Sequence, residues 1–167
     1  MNALWSYFWP ALGLGMISGI IGGSIAFRRR TNRIVVLAAS AAVAIGLAAL
    51  WHGPLGGADR FAAQVERGIH KTLVYYEMTA VTGHLHHGPL TRRVLLTGPA
   101  DDFQRSELVR LMDQVPGVGS TVWSSDGSGG LPLIVEGGLV AVLGFLLGLL
   151  LAYLVELRRR YNAQWKW

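Results

Sequence analysis

The sequence predicts a membrane α-helical protein with three transmembrane helices and a small α/β domain, of order α-β-β-α-β, outside the cytoplasm. Three long apolar runs predict the helices. Two arginine clusters beside those runs predict their orientation, and changes of periodicity between residues 52 and 130 predict the domain. The chain thus divides into a helical hairpin (residues 1–51), the domain with its linkers (52–130), and a third helix with a basic and aromatic tail (131–167).

The apolar runs cover residues 5–27, 34–51 and 131–157. A helix that crosses a bilayer needs about 20 mostly apolar residues. The first two runs carry no charge, and the third holds only Glu136 near its start and Glu156 near its end. No basic residue precedes the first run and an arginine triplet follows it, which favours a retained anchor over a cleaved signal peptide.

Arginine at the flanks of the runs sets the predicted orientation. Short loops rich in arginine stay in the cytoplasm, so we expect a multi-pass protein of a bacterial inner membrane with a periplasmic N-terminus and a cytoplasmic C-terminus. The flanking arginines are also candidates for contact with lipid headgroups: Arg28, Arg29, Arg30, Arg33, Arg158, Arg159 and Arg160. Aromatic residues near the predicted boundaries agree with this orientation: Trp5, Tyr7, Trp9 and Trp51 outside, and Tyr153, Tyr161, Trp165 and Trp167 inside.

The net charge of +5 arises at these flanks, because residues 52–130 hold seven basic and eight acidic residues. That balance argues against a nucleic-acid-binding surface, which needs a basic patch on a folded domain. The chain has no cysteine, which excludes disulfides and thiolate metal sites.

Small residues recur at a spacing of four along each apolar run, a pattern that lets helix backbones approach closely in lipid. The stripes are Gly15, Gly19 and Gly23; Ala38, Ala42 and Gly46; and Gly144, Gly148 and Ala152. They could pack the three helices together or face another chain. The short loop at residues 28–33 predicts that the first two helices pair, so we expect the third stripe to meet a partner and Gly148→Leu to release that partner.

The segment between the second and third runs contains a helix (59–76), a strand (78–85), a turn (86–89), a second strand (92–97), a second helix (103–115) and a last strand (118–123). Asp101 is the expected N-cap of the second helix, with Gln104 three residues later. Residues 53–57 and 124–130 are rich in glycine, proline or serine and predict linkers. Gly98, at a strand-to-helix turn, and Gly117, after a helix end, are expected to be structural.

This segment resembles the BON domain family. The resemblance rests on residues 94–98 (Val-Leu-Leu-Thr-Gly), the helix at 103–115, and Pro116-Gly117-Val118 before the last strand. It implies a small α/β sandwich over roughly residues 59–123, without catalytic residues, that contacts phospholipid surfaces or other envelope proteins. Fold residues implied by the resemblance are Val94, Leu96, Gly98, Gly117 and Val118.

Histidines are the best candidates for chemistry. On one strand, His84 and His86 would share a face and could bind a metal, but an exposed polar hairpin is the favoured explanation of them. His70 and His87 lie nearby in sequence, and His52 lies at the end of the second run. No run has an interior histidine that could ligate haem or chlorophyll, so we expect no cofactor.

Glu136 is the other unusual residue, because an ionisable group in an apolar run is a functional candidate. Its position five residues into the run favours a carboxylate that reaches water or pairs with an arginine of the domain. A proton relay would need deeper partners, which the sequence lacks.

These patterns predict a non-enzymatic accessory or scaffold subunit of a larger inner-membrane complex, with other integral membrane subunits and phospholipid as partners. The alternative is a free-standing envelope protein whose BON-like domain binds phospholipid. A more distant alternative is a periplasmic metal sensor based on His84 and His86.

Overall fold

The structure, a computed structural model, describes residues 2–28, 32–123 and 129–164. Three of its helices are long and apolar enough to cross a membrane: α1 (Ala3–Arg28), α2 (Arg33–His52) and α5 (Leu133–Gln164). The predicted runs are therefore confirmed as helices, each one or more residues longer than its apolar core. Some residues with predicted roles lie outside the described part of the chain: Arg29, Arg30, residues 124–128 of the exit linker, Trp165 and Trp167.

Between α2 and α5 the elements are α3 (Gly57–Tyr75), β1 (Thr82–His87), β2 (Leu90–Thr97), α4 (Asp102–Met112) and β3 (Ser120–Trp123). The order helix, strand, strand, helix, strand is as predicted. The first strand is later than expected and includes His86 and His87, which were assigned to the turn. Residues before it turn instead: Glu77 has a φ of 57°, and the Met78 N–H donates to the Leu73 carbonyl at 2.9 Å.

The three strands form one sheet in the order β1-β2-β3. β1 and β2 are antiparallel, with Leu85 opposite Val94. β3 lies parallel to β2, with Val122 opposite Leu95, because α4 carries the chain back between them. The predicted capping box is confirmed: the Asp101 side chain accepts from the Gln104 N–H, and the Gln104 side chain accepts from the Asp101 N–H.

α3 and α4 supply the helical side of the domain core. Both present apolar residues at helical spacing, and β2 buries three consecutive residues, Val94, Leu95 and Leu96. The other buried side chains of this core include Phe61, Val65, Ile69, Leu73, Leu85, Leu108, Met112 and Val118. Gly98 and Gly117 have φ values of 138° and 110°, and a Cβ would meet the Ala80 carbonyl oxygen at 2.6 Å and Val65 Cγ2 at 2.5 Å, respectively. Both glycines are structural, as predicted.

The chain forms two compact units. The first comprises Met1–Tyr7 and Gly56–Glu136, and the second Phe8–Leu55 and Gly137–Trp167. The α/β unit thus includes the first turns of α1 and α5, which the sequence analysis placed with the membrane segments. The reason is local packing, described below.

Candidate interaction surface

Backbone contact between α1 and α5 accounts for two of the three small-residue stripes. A Cβ on Gly15 would lie against the Ala141 carbonyl, and one on Gly19 against the Phe145 carbonyl. The contact is reciprocal, because a Cβ on Gly144 would lie against the Leu12 carbonyl and one on Gly148 against the Met16 carbonyl. Residue numbers rise together along both helices, so α1 and α5 run parallel.

Near the end of α1 the same seam continues. A Cβ on Gly23 would lie 2.8 Å from the Ala152 Cβ, and the Phe27 and Tyr153 rings meet edge-on at 5.9 Å. The Arg160 guanidinium donates to the Phe27 carbonyl at 3.4 Å. The small-residue stripe of α5 therefore packs on α1. The prediction that this stripe meets another chain is wrong, because close α1–α5 contact leaves it no open surface.

α2 packs through a different face from the one predicted. A Cβ on Gly22 of α1 would clash with the Ser40 side chain, and Ala44 and Ala48 are the buried residues of α2. The predicted stripe, Ala38, Ala42 and Gly46, is exposed, and a Cβ on Gly46 would meet nothing within 4 Å. The α2 stripe was expected to pack on α1, and the structure shows that it does not.

The first turn of α1 belongs to the α/β unit through Tyr7. Its side chain is 1% exposed, its ring lies 5.6 Å from that of Phe61 on α3, and its hydroxyl donates to the Leu133 carbonyl of α5 at 3.3 Å. Ser6 adds a hydrogen bond to Gln64 at 3.2 Å. Tyr7 was expected at a lipid boundary, and this role in the α/β unit was not predicted. The signal was available: Ala3, Tyr7 and Ala11 extend the four-residue spacing of the glycines, and all are buried.

Glu136 pairs with an arginine of the domain, as the simpler alternative predicted. The Arg92 Nη1 lies 3.2 Å from Glu136 Oε2, with the two side chains 26% and 22% exposed. Arg92 also donates to the Gly117 carbonyl at 3.0 Å and to the Val118 carbonyl at 3.4 Å. One guanidinium thus joins β2, the chain before β3 and the first turn of α5, where a carboxylate is favoured by the helix dipole.

The histidines do not converge. His86 Nδ1 lies 3.1 Å from the Pro89 carbonyl, and His87 Nε2 lies 3.1 Å from Glu66 Oε1. His84 and His70 are exposed. Within residues 2–28, 32–123 and 129–164, no group of three or more histidine, aspartate or glutamate side chains could hold a metal ion.

The arginines meet at one end of the helical unit. Arg28 ends α1, Arg33 begins α2, and Arg158, Arg159 and Arg160 lie near the end of α5. One carboxylate, Glu156, lies among them: it contacts Arg159 Nε at 2.9 Å and Arg160 Nε at 3.1 Å. Among the residues that the structure describes here, five guanidinium groups and one carboxylate give this end a strong positive charge.

Comparison of the chain with family models, with curated proteins and with solved structures gives no match.

Proposed function

We propose that the chain is a non-enzymatic accessory subunit of a larger complex in a bacterial inner membrane, with a BON-like periplasmic domain. The α-β-β-α-β order, Gly98 and Gly117 support the BON assignment. The arginines support the orientation, because the ends of α1 and α5 and the start of α2 bring them to one side, which the positive-inside rule assigns to the cytoplasm.

The exposed face of α2 carries the proposal of a partner. Only 11% of the residues in the most apolar stretch of α2 are buried, against 39% for α1 and 28% for α5. Seven exposed residues lie on one side of this helix, and five of them are alanine or glycine: Val35, Ala38, Ala39, Ala42, Ile45, Gly46 and Ala49. A surface that faces lipid gains nothing from small side chains, and glycine costs a helix about 1 kcal/mol relative to alanine. A close-packed helix of another chain explains the pattern.

The occupant that we propose is a membrane-spanning helix of a different protein. The glycines of α1 and α5 pack against the partner helix within this chain. The exposed face of α2 is therefore the surface proposed to contact the other protein. The face is apolar, and the small residues would let the partner's backbone approach closely, as α5 approaches α1.

Co-purification tests this proposal. The chain is tagged, expressed in its native host and extracted in mild detergent, and the accompanying chains are counted. We expect stoichiometric partners with the unmodified chain and their loss with Ala42→Leu combined with Gly46→Leu. Gly13→Leu is the matched control, because it adds bulk to α1 where a Cβ meets nothing within 4 Å.

Two results would contradict the proposal. Retention of the partners by the double α2 variant would remove the face from the interface. A particle built only of copies of this chain, dissociated by the same variant, would make α2 a self-association surface and the accessory role wrong.

Exposed aromatic side chains on the α/β unit favour a second candidate, a free-standing envelope protein that binds phospholipid through this domain. Tyr75 and Phe103 are 78% and 75% exposed. This candidate predicts a lone chain in detergent, together with liposome binding by the full chain that Tyr75→Ser and Phe103→Ser abolish. Liposome binding unchanged by both substitutions would exclude it.

A further inference from the structure

Two neighbouring hollows lie at the arginine end of the helical unit. The first, of about 220 Å³, is bordered by Phe27, Arg33, Tyr153, Glu156, Leu157 and Arg160. The second, of about 540 Å³, is bordered by Leu154, Leu157, Arg158, Arg160 and Tyr161. Arg160 and Leu157 border both, so the hollows lie on either side of one arginine.

Each hollow has cationic donors left for a ligand. Arg33 and Arg158 make no hydrogen bond or ion pair with another side chain in the described part of the chain. Arg160 uses Nε on Glu156 and Nη2 on the Phe27 carbonyl, which leaves its Nη1 donors. An anion in either hollow would therefore meet two guanidinium groups, the side chain best suited to phosphate.

The carboxylate in the first hollow offsets only one of these positive charges. Glu156 is 8% exposed and accepts from both Arg159 and Arg160, so its oxygens are already occupied by guanidinium groups. Arg28 adds a further positive charge nearby, at the end of α1.

The remaining walls are apolar. Phe27 and Tyr153 form one side of the first hollow, and Leu154 borders the second. Leu154 is 49% exposed, and Leu150 and Leu151, which border neither hollow, are 53% and 45% exposed on the same helix. A soluble phosphate would gain nothing from these walls, whereas the glycerol and acyl chains of a phospholipid would cover them.

From these observations we infer that the arginine end binds one anionic phospholipid that carries two phosphates, with one phosphate in each hollow and Arg160 between them. Basic pockets at the membrane surface are suited to such headgroups. The first hollow lies between α1, α2 and α5, and the second is an open groove on α5 alone. The inference rests on the proposed membrane location, but not on the proposed partner at α2.

Native mass spectrometry of the detergent-solubilised full chain tests the inference. Delipidated protein is titrated with diphosphatidylglycerol, phosphatidylglycerol, phosphatidylethanolamine or inorganic phosphate. We expect one bound diphosphatidylglycerol, with an affinity at least about tenfold above that for phosphatidylglycerol, a difference that a second phosphate contact readily supplies. Equal binding of the two anionic lipids, or displacement by an equal concentration of inorganic phosphate, would overturn the inference.

Single substitutions locate the site. Arg33→Gln and Arg158→Gln should each lower diphosphatidylglycerol affinity about tenfold and remove the preference over phosphatidylglycerol. Arg28→Gln is the matched control: it removes the same charge from the same end but borders neither hollow. An equal loss in the control would reduce the effect to general surface charge and contradict the site.

The outcomes are separable from those of the proposed function. Resistance of the chain to alkaline extraction from membranes checks its location, and co-purification checks the partner. Lipid selectivity without partners would retain this inference and refute the accessory role. If the arginine variants fail to insert, the lipid competition with the unmodified chain still decides.

Discussion

At the scale of single residues, Arg92 and Tyr7 join elements that are distant in the sequence. Arg92 connects β2 to the Gly117 and Val118 carbonyls and to Glu136. Tyr7 connects α1 to Phe61 and to the Leu133 carbonyl. Both side chains satisfy polar groups in a partly or fully buried setting, where an unpaired partner is costly.

Replacement of Arg92 by Met should lower the stability of the α/β unit by about 1–3 kcal/mol, because Glu136 and two carbonyl groups lose their donor. Glu136→Gln should cost less, since an amide oxygen can still accept from Arg92. Arg110→Met is the matched control, because its pairing with Glu107 is exposed and such pairs contribute little. Denaturant unfolding of the full chain in detergent measures all three, and an equal cost for Arg92→Met and Arg110→Met would contradict the assigned role.

At the scale of elements, the contact between α1 and α5 is made by backbone against backbone. Gly15 and Gly19 on one helix, and Gly144 and Gly148 on the other, leave no room for a Cβ. Such close approach gains van der Waals contact in lipid, where there is little hydrophobic drive between helices. The parallel α1–α5 pair is therefore the close-packed part of the helical unit, and α2 is its more exposed member.

The two helix-packing glycines of α5 should behave in the opposite way from Gly138 of the same helix. Alanine is the better helix former by about 1 kcal/mol, so Gly138→Ala, with nothing within 4 Å of its Cβ, should raise the unfolding temperature or leave it unchanged. Gly148→Ala should lower it, because overpacking costs about 1–3 kcal/mol. Thermal unfolding in detergent, followed by tryptophan fluorescence, measures both. A stabilising Gly148→Ala would mean that the helices do not meet there.

At the scale of the whole molecule, two of the three apolar helices, α1 and α5, contribute residues to both compact units. α1 begins within the α/β unit and continues in the helical unit, and α5 does the same. The proposed topology places the α/β unit in the periplasm and the arginine end in the cytoplasm, as the charge distribution requires.

Reporter fusions test this topology. An enzyme active only in the periplasm should be active when fused after Ser125 and inactive when fused after Trp167. The reverse pattern would invert the proposed orientation, and activity at both positions would mean that the third helix does not cross the membrane. Replacing the four arginines between residues 28 and 33 by glutamine should weaken the asymmetry, because these charges hold the first loop in the cytoplasm.

The sequence by itself determined the elements. Unbroken apolar length specified the three long helices, and the Asp101–Gln104 pair marked the start of α4, because these signals act locally. The end of α4 was predicted at residue 115, before Pro116-Gly117, but the helix ends at Met112. It also offered two readings of Glu136, a carboxylate that reaches water or one that pairs with an arginine of the domain, and the structure shows the pair with Arg92. The late start of β1 was not predicted, since the turn through Glu77 has no glycine to mark it.

Only the tertiary structure decided which helix each small-residue stripe packs against. Gly15, Gly148 and Gly46 are equivalent in local sequence, and each could face a helix of this chain, another chain or lipid. The choice depends on the parallel course of α1 and α5, which brings residues more than 120 positions apart into backbone contact. The burial of Tyr7 and the gathering of arginines around Glu156 have the same origin. Periodicity predicts which face of a helix is suited to packing. Which element packs on that face depends on the tertiary course of the rest of the chain.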